Sequence, residues 1–216
     1  MDINIKDNET KSVCIIILFC ILTVVILCVL VFCGFKKWKD KTRIEVCPET
    51  NETFLVQNNK HEPDWVGKEV AKRLSRLSQN ADYIVNYMSM NKLPDPIVSK
   101  RLYDRWQNIR NNPHGLRETA FGESSAAYTV NKSEQIRICI RDPKSTKQFE
   151  DTNTSMLVLL HELAHIMSHS YGHNLEFKRN FAFITKIAVE LGIYNYVDYS
   201  KSPTSYCSTD ITNSPY

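Results

Sequence analysis

Four of the six histidines in the chain fall within thirteen residues: His161, His165, His169 and His173. The first two frame the stretch His161-Glu162-Leu163-Ala164-His165. On a helix, residues four apart lie only about 40° apart around the axis, at roughly 100° per residue, so both imidazoles can bind one ion. Glu162 stands about 100° round from His161, where it reaches a water on the metal without ligating the metal itself. Zinc is the expected ion. It accepts imidazole nitrogens in a tetrahedral shell, and three protein ligands leave one position for water. Zinc supplies hydroxide near neutral pH and polarises a carbonyl, while a carboxylate beside it takes the proton and passes it to the leaving amine. The pattern predicts peptide-bond hydrolysis, with His161 and His165 as metal ligands and Glu162 as the catalytic base.

A third ligand is required, and several residues compete for the place. His173 follows Gly172, which can turn the chain back toward the metal after the helix ends. His169 lies four residues beyond His165, but three ligands in line along one straight helix fit a tetrahedral shell poorly. Glu176 and Glu190 are the acidic alternatives. The expected set is His161, His165 and His173. No oxyanion donor stands out among Tyr171, Tyr194 and Tyr206.

The elements that must position these residues can be read from periodicity. Residues 154–170 predict the metal-bearing helix, with Met156, Leu159, Leu163, Ile166 and Met167 opposite the histidines. That helix is apolar almost all round, and buried imidazoles on it need a partner. Apolar steps of three and four from Asp64 to Met90 predict an amphipathic helix, broken by Pro94 and Pro96, and a second helix is predicted over Ile97–Arg110. Ala126–Val130 reads as a strand. Gln135–Arg141 alternates, with Ile136, Ile138 and Ile140 on one face, and the two strands could form a hairpin. A last helix is predicted over Leu175–Leu191, with Asn174 as its N-cap and Gly192 past its end. The tail from Ile193 to Tyr216 has no strong period. The order of elements predicts a small α+β domain.

Upstream lies a different kind of sequence. Of the 21 residues from Val13 to Cys33, only Thr23 is polar, and such a helix matches a hydrocarbon core of about 30 Å. The expected organisation is a short tail over 1–12, a single transmembrane helix over 13–33, a basic flank and linker over 34–63, and the catalytic domain over 64–216. Lys36, Lys37, Lys39, Lys41 and Arg43 follow the span, against Lys6 and Lys11 before it. The positive-inside rule then puts the domain on the cytoplasmic side. Sequons at Asn51, Asn131 and Asn153 would report a lumenal domain instead.

Bulk properties set limits. With 216 residues, 43% hydrophobic and 24% charged, the chain is long enough beyond the span for one domain with its own core. The net charge of +3 gathers at the flank, so no nucleic-acid partner is expected. Of seven cysteines, only Cys47, Cys139 and Cys207 lie outside the apolar segment. An odd number without ligand spacing predicts no disulfide framework and a reducing compartment.

The motif His161 to His165, then Gly172-His173, then Phe177 resembles the WLM and SprT-like zinc metallopeptidases. That resemblance implies a small zincin core holding Zn2+, with His161, His165 and His173 as ligands, Glu162 as general base and Phe177 as the aromatic behind the third histidine. Residues 115 to 210 also look similar to membrane-anchored metallopeptidase-like proteins of large DNA viruses. One departure is the spacing: His173 follows His165 by eight residues, where WLM proteins usually have six. Related enzymes cut proteins crosslinked to DNA, a substrate not carried over here for want of a basic surface. In zincins an edge strand before the active helix pairs with the protein or peptide substrate, a place that Gln135–Arg141 would take, with Arg137 and Arg141 either favouring acidic side chains or lying on a solvated edge. The alternative is a zinc-stabilised, catalytically inactive binding or virion structural protein tethered to a membrane. The sequence leaves the oligomeric state open.

Overall fold

The computed structural model describes residues 16–31, 33, 41–59, 61–120, 123, 125–141 and 149–216. The chain divides into two units, Met1–Lys41 and Thr42–Tyr216. In the first, residues 16–31 form helix α1, and its side chains are largely exposed. Among the described residues no helix is long and apolar enough to cross a membrane. Residues 13–15 and 32 of the expected span, and Lys36, Lys37 and Lys39 of the basic flank, lie outside the described residues.

The second unit begins earlier than expected. Residues expected to form a linker instead make an antiparallel hairpin, β1 (Thr42–Val46) and β2 (Thr53–Gln57). Phe54, Leu55 and Val56 are buried. Three consecutive buried residues carry no alternation, so periodicity could not reveal the strand. Helix α2 (Asp64–Met90) matches its expected bounds and buries the face running through Val70, Leu74, Leu77, Ala81, Ile84 and Met88. Helix α3 (Pro96–Asn111) starts at Asp95, whose carboxylate accepts the N–H groups of Ile97 and Val98. This arrangement satisfies donors that every helix start leaves open.

Three short strands follow: β3 (Leu116–Glu118), β4 (Ala127–Val130) and β5 (Gln135–Ile138). Their order is β3-β5-β4, with β3 parallel and β4 antiparallel to β5. The edge strand facing the histidine-bearing helix is therefore β4, and β5 is central, contrary to expectation. Alternation in β5 showed which side chains are buried but not which strands flank it, and β3 is too short to show a period. Arg137 and Arg141 are also committed within the chain. Arg137 pairs with Glu123 at 2.9 Å, and the buried Arg141 pairs with Glu118 at 2.9 Å and with Glu62.

Helix α4 (Thr152–Met167) and helix α5 (Leu175–Glu190) complete the core, and the C-terminal residues add a hairpin, β6 (Thr204–Tyr206) and β7 (Thr209–Ile211). Helix α4 packs against α2, α3, α5, β4 and β5. Its residues Met156, Leu159, Leu163, Ile166 and Met167 are all buried. The architecture is α+β, as the order of elements predicts.

The disulfide expectation is overturned. Cys139 and Cys207 are bridged, with Cα atoms 6.4 Å apart and a sequence separation of 68. Spacing rules read only local patterns, and nothing in the sequence shows that the last hairpin returns to the end of β5.

Candidate metal centre

The geometry begins with the ends of α4. Asp151 caps its start by accepting the N–H of Thr154 at 2.7 Å. The helix ends at Met167, and Ser168 already has extended backbone. The last carbonyls are gathered by three cations. Arg101 donates to Met167, Arg105 to Ile166 and Ser168, and Lys132 to Ser168, His169 and Ser170. Cations at a helix C-terminus complement its dipole and satisfy carbonyls that the helix leaves open.

The chain then turns. Glu176 accepts the N–H of His169 at 2.7 Å and that of Ser170 at 3.0 Å, together with the Ser170 hydroxyl. Gly172 has φ +79°, a conformation open to glycine. Asn174 caps α5 by accepting the N–H of Phe177. This turn carries His173 back over the helix.

Three imidazoles meet there. The Nε2 atom of His161 lies 3.2 Å from that of His165 and 3.0 Å from that of His173. The ligating atoms of all three lie within 4.8 Å of one another. Four-coordinate zinc with nitrogens at about 2.0–2.1 Å places neighbouring ligands roughly 3.3 Å apart, so the spacing fits a shared ion. The Phe177 ring lies behind all three, with centroid distances of 4.8, 4.3 and 4.7 Å to His161, His165 and His173. His169 does not join them: it lies beyond the helix end and is exposed. Glu176 is engaged in the turn, and Glu190 is exposed at the far end of α5.

Glu162 stands beside the cluster without belonging to it. It is buried and accepts a hydrogen bond of 2.6 Å from the Thr129 hydroxyl on β4. Burial raises its pKa to about 7, against the opposing effect of the Thr129 bond. Burial, followed by the His165 and His173 imidazoles, lowers His161 to about 3, and burial followed by His173 and the Lys132 cation lowers His165 to about 4. Both rings are therefore neutral at physiological pH, the form in which imidazole binds a metal.

Two clefts flank this site. One of about 300 Å³ is lined by Thr129, Lys132, Tyr171 and the three histidines. The other, of about 460 Å³, lies on the far side of His161 and Glu162, against the last hairpin. Tyr171 is exposed at the cleft rim, with the Lys132 ammonium 4.4 Å from its ring centroid. Tyr194 is buried, and the Tyr206 hydroxyl donates to the Cys139 carbonyl. Sequence reasoning missed Thr129 and Lys132, because a hydroxyl and an ammonium without a spacing pattern carry no signal.

The model of the WLM domain matches residues 127–210, a stretch that runs from β4 into β7 and contains every residue of the site. An uncharacterized protein of Acanthamoeba polyphaga mimivirus is 34% identical over 180 residues, which cover 82% of this chain and 86% of that protein. The chain belongs to the WLM family. An uncharacterized protein of Invertebrate iridescent virus 6 is 31% identical over 149 residues, covering 67% of this chain and 77% of the relative. One of Invertebrate iridescent virus 3 is 38% identical over 73 residues, covering 34% and 45%. The WLM protein described here thus stands among proteins of large DNA viruses. WLM domains are related to zinc-protease-like families. No solved structure matches the chain.

Proposed function

We propose that this WLM protein is a zinc-dependent metalloendopeptidase. The observation that carries the reading is the convergence of His161, His165 and His173 beside a buried carboxylate, Glu162, that stays out of their cluster. When bound, zinc supplies an activated water and a Lewis acid for the scissile carbonyl. Glu162, with a pKa near neutrality, takes a proton from the nucleophile and returns it to the leaving amine. Thr129 fixes the carboxylate's orientation. The outer edge of β4 offers main-chain groups to an extended peptide, which binds there with little demand on sequence.

A purely structural zinc site is the second reading. Closed structural sites use four protein ligands, whereas catalytic sites keep one position open. Among the described residues the cluster has three members, and His169, the candidate fourth, points to no shared ion. A structural site also has no use for Glu162. These features favour turnover.

Membrane attachment through residues 13–33 belongs to the same proposal, supported by the exposed apolar side chains of α1. The Cys139–Cys207 disulfide supports an oxidising side for the domain, against the cytoplasmic side favoured by the lysine flank. Asn51 and Asn131, both exposed, are the sequons placed to report the side by a glycosidase shift.

The activity is tested on the full chain in detergent. Chelator-stripped protein should regain cleavage of an unfolded protein substrate when one equivalent of zinc is restored. His173→Ala should abolish that recovery and His169→Ala should leave it. Recovery that depends on His169 and not on His173 contradicts the proposed site.

A further inference from the structure

The larger cleft beside Glu162 has a composition unlike that of its neighbour. Ala127, Leu157, Val158, Phe181 and Ile211 supply its walls, with Thr209 and Asn213 at the mouth. Among the described residues lining it, Glu162 is the one with an ionisable carboxylate, and no lysine or arginine takes part. Its volume of about 460 Å³ falls in the range of roughly 300–1,000 Å³ typical of ligand pockets.

The outer wall is the β6–β7 hairpin, which strand pairing alone does not hold. Each strand has three residues, and an isolated two-stranded hairpin is marginal at best in water. Three ties fasten it to the site. The Cys139–Cys207 disulfide joins it to the end of β5. The buried Tyr206 hydroxyl donates to the Cys139 carbonyl, and the Cys207 N–H donates to Glu150 at 3.0 Å. Cys139 in turn donates its own N–H to the carbonyl of Ala126, a pocket residue next to β4. The covalent link therefore ties the hairpin wall to the end of β5, and the Cys139–Ala126 hydrogen bond extends that tie to the start of β4, on which a substrate would lie.

We propose that the hairpin is the specificity element of the enzyme: with Leu157, Val158 and Phe181 it forms a subsite for an apolar substrate side chain, and the Cys139–Cys207 bridge holds that subsite in shape. This inference rests on the proposed peptidase function. The orientation follows from pairing. Antiparallel strands pair slightly better than parallel ones. A peptide antiparallel to β4 has its C-terminal part over Ala127, at the pocket, and its N-terminal part toward Lys132. The pocket therefore receives the residue on the C-terminal side of the cleaved bond.

The test uses full-length, zinc-loaded chain and peptides that differ only at that residue, carrying Leu, Phe, Ala, Asp or Lys. One methylene in an apolar pocket is worth about 10-fold or more in kcat/KM. Leu and Phe peptides should exceed the Ala peptide by at least that factor, with Asp the poorest. Ile211→Asp should bring Leu down to the level of Ala and improve Lys. Cys207→Ser should shrink the Leu-to-Ala ratio through KM, and zinc content measured on the same samples verifies that the site is folded. Binding of the same peptides to Glu162→Gln, read by fluorescence anisotropy, separates this inference from the peptidase proposal. Apolar selectivity in binding without cleavage by wild type supports the subsite and overturns the peptidase function. Cleavage that depends on Glu162 but ignores this residue, or selects only on its N-terminal side, overturns the subsite and leaves the function standing.

Discussion

Thr129 on β4 donates a hydrogen bond of 2.6 Å to Glu162 on α4, joining the edge strand to the histidine-bearing helix at the site of proposed proton transfer. The strand that would hold a substrate and the carboxylate that would attack through water are thereby held at a fixed separation. A hydrogen bond to a charged group contributes about 1.5–3 kcal/mol, or roughly 10- to 100-fold in rate if it acts at the transition state. Thr129→Val should lower kcat by a factor in that range while zinc stoichiometry stays unchanged. Steady-state kinetics with metal analysis checks it, and an unchanged kcat would remove Thr129 from the account.

The turn that delivers His173 depends on Glu176. The N–H of His169 and the hydroxyl and N–H of Ser170 depress its pKa from 4.5 to about 2. A carboxylate depressed on folding stabilises the structure fully above its unfolded pKa and loses that effect as pH falls toward the folded value. In metal-free protein, the side-chain carboxyl carbon resonance of Glu176 should hold steady from pH 7 to about 4.5 and shift only below. Glu176→Gln should weaken zinc binding by loosening the turn. A carboxyl titration with a midpoint near the ordinary value of 4.5 would show that the carboxylate is not engaged as described.

The disulfide closes a long loop, its cysteines separated by 68 positions in sequence. Cross-links of this kind stabilise by about 2–4 kcal/mol, chiefly through the unfolded chain. Replacing both cysteines by alanine should lower the unfolding free energy by an amount in that range, measured by urea denaturation. No change would mean that the bridge does not form in the folded protein.

The histidine cluster was readable because its spacing is local. His161, Glu162 and His165 are fixed by helical spacing, and Gly172-His173 announces a turn. Helix α2 was readable to its ends because 27 residues carry several repeats of one period. The rest depends on relations that a period cannot encode. Buried on consecutive positions, β2 lacks alternation. The edge role of β4 depends on β3, a three-residue strand that arrives from before it in sequence. Arg141 looked like an outward-facing cation and is buried because Glu118 and Glu62 meet it from distant segments. Cys139 and Cys207 were counted as two of an odd three, and only the return of the C-terminal hairpin pairs them.

The central claim is that Glu162 moves protons beside a zinc ion held by three histidines. It is tested most directly by measuring zinc content and cleavage of an unfolded protein on one preparation of Glu162→Gln. A general base is worth about 100- to 10,000-fold. The account predicts close to one zinc per chain with cleavage reduced by a factor in that range. Full cleavage at full zinc occupancy would contradict it.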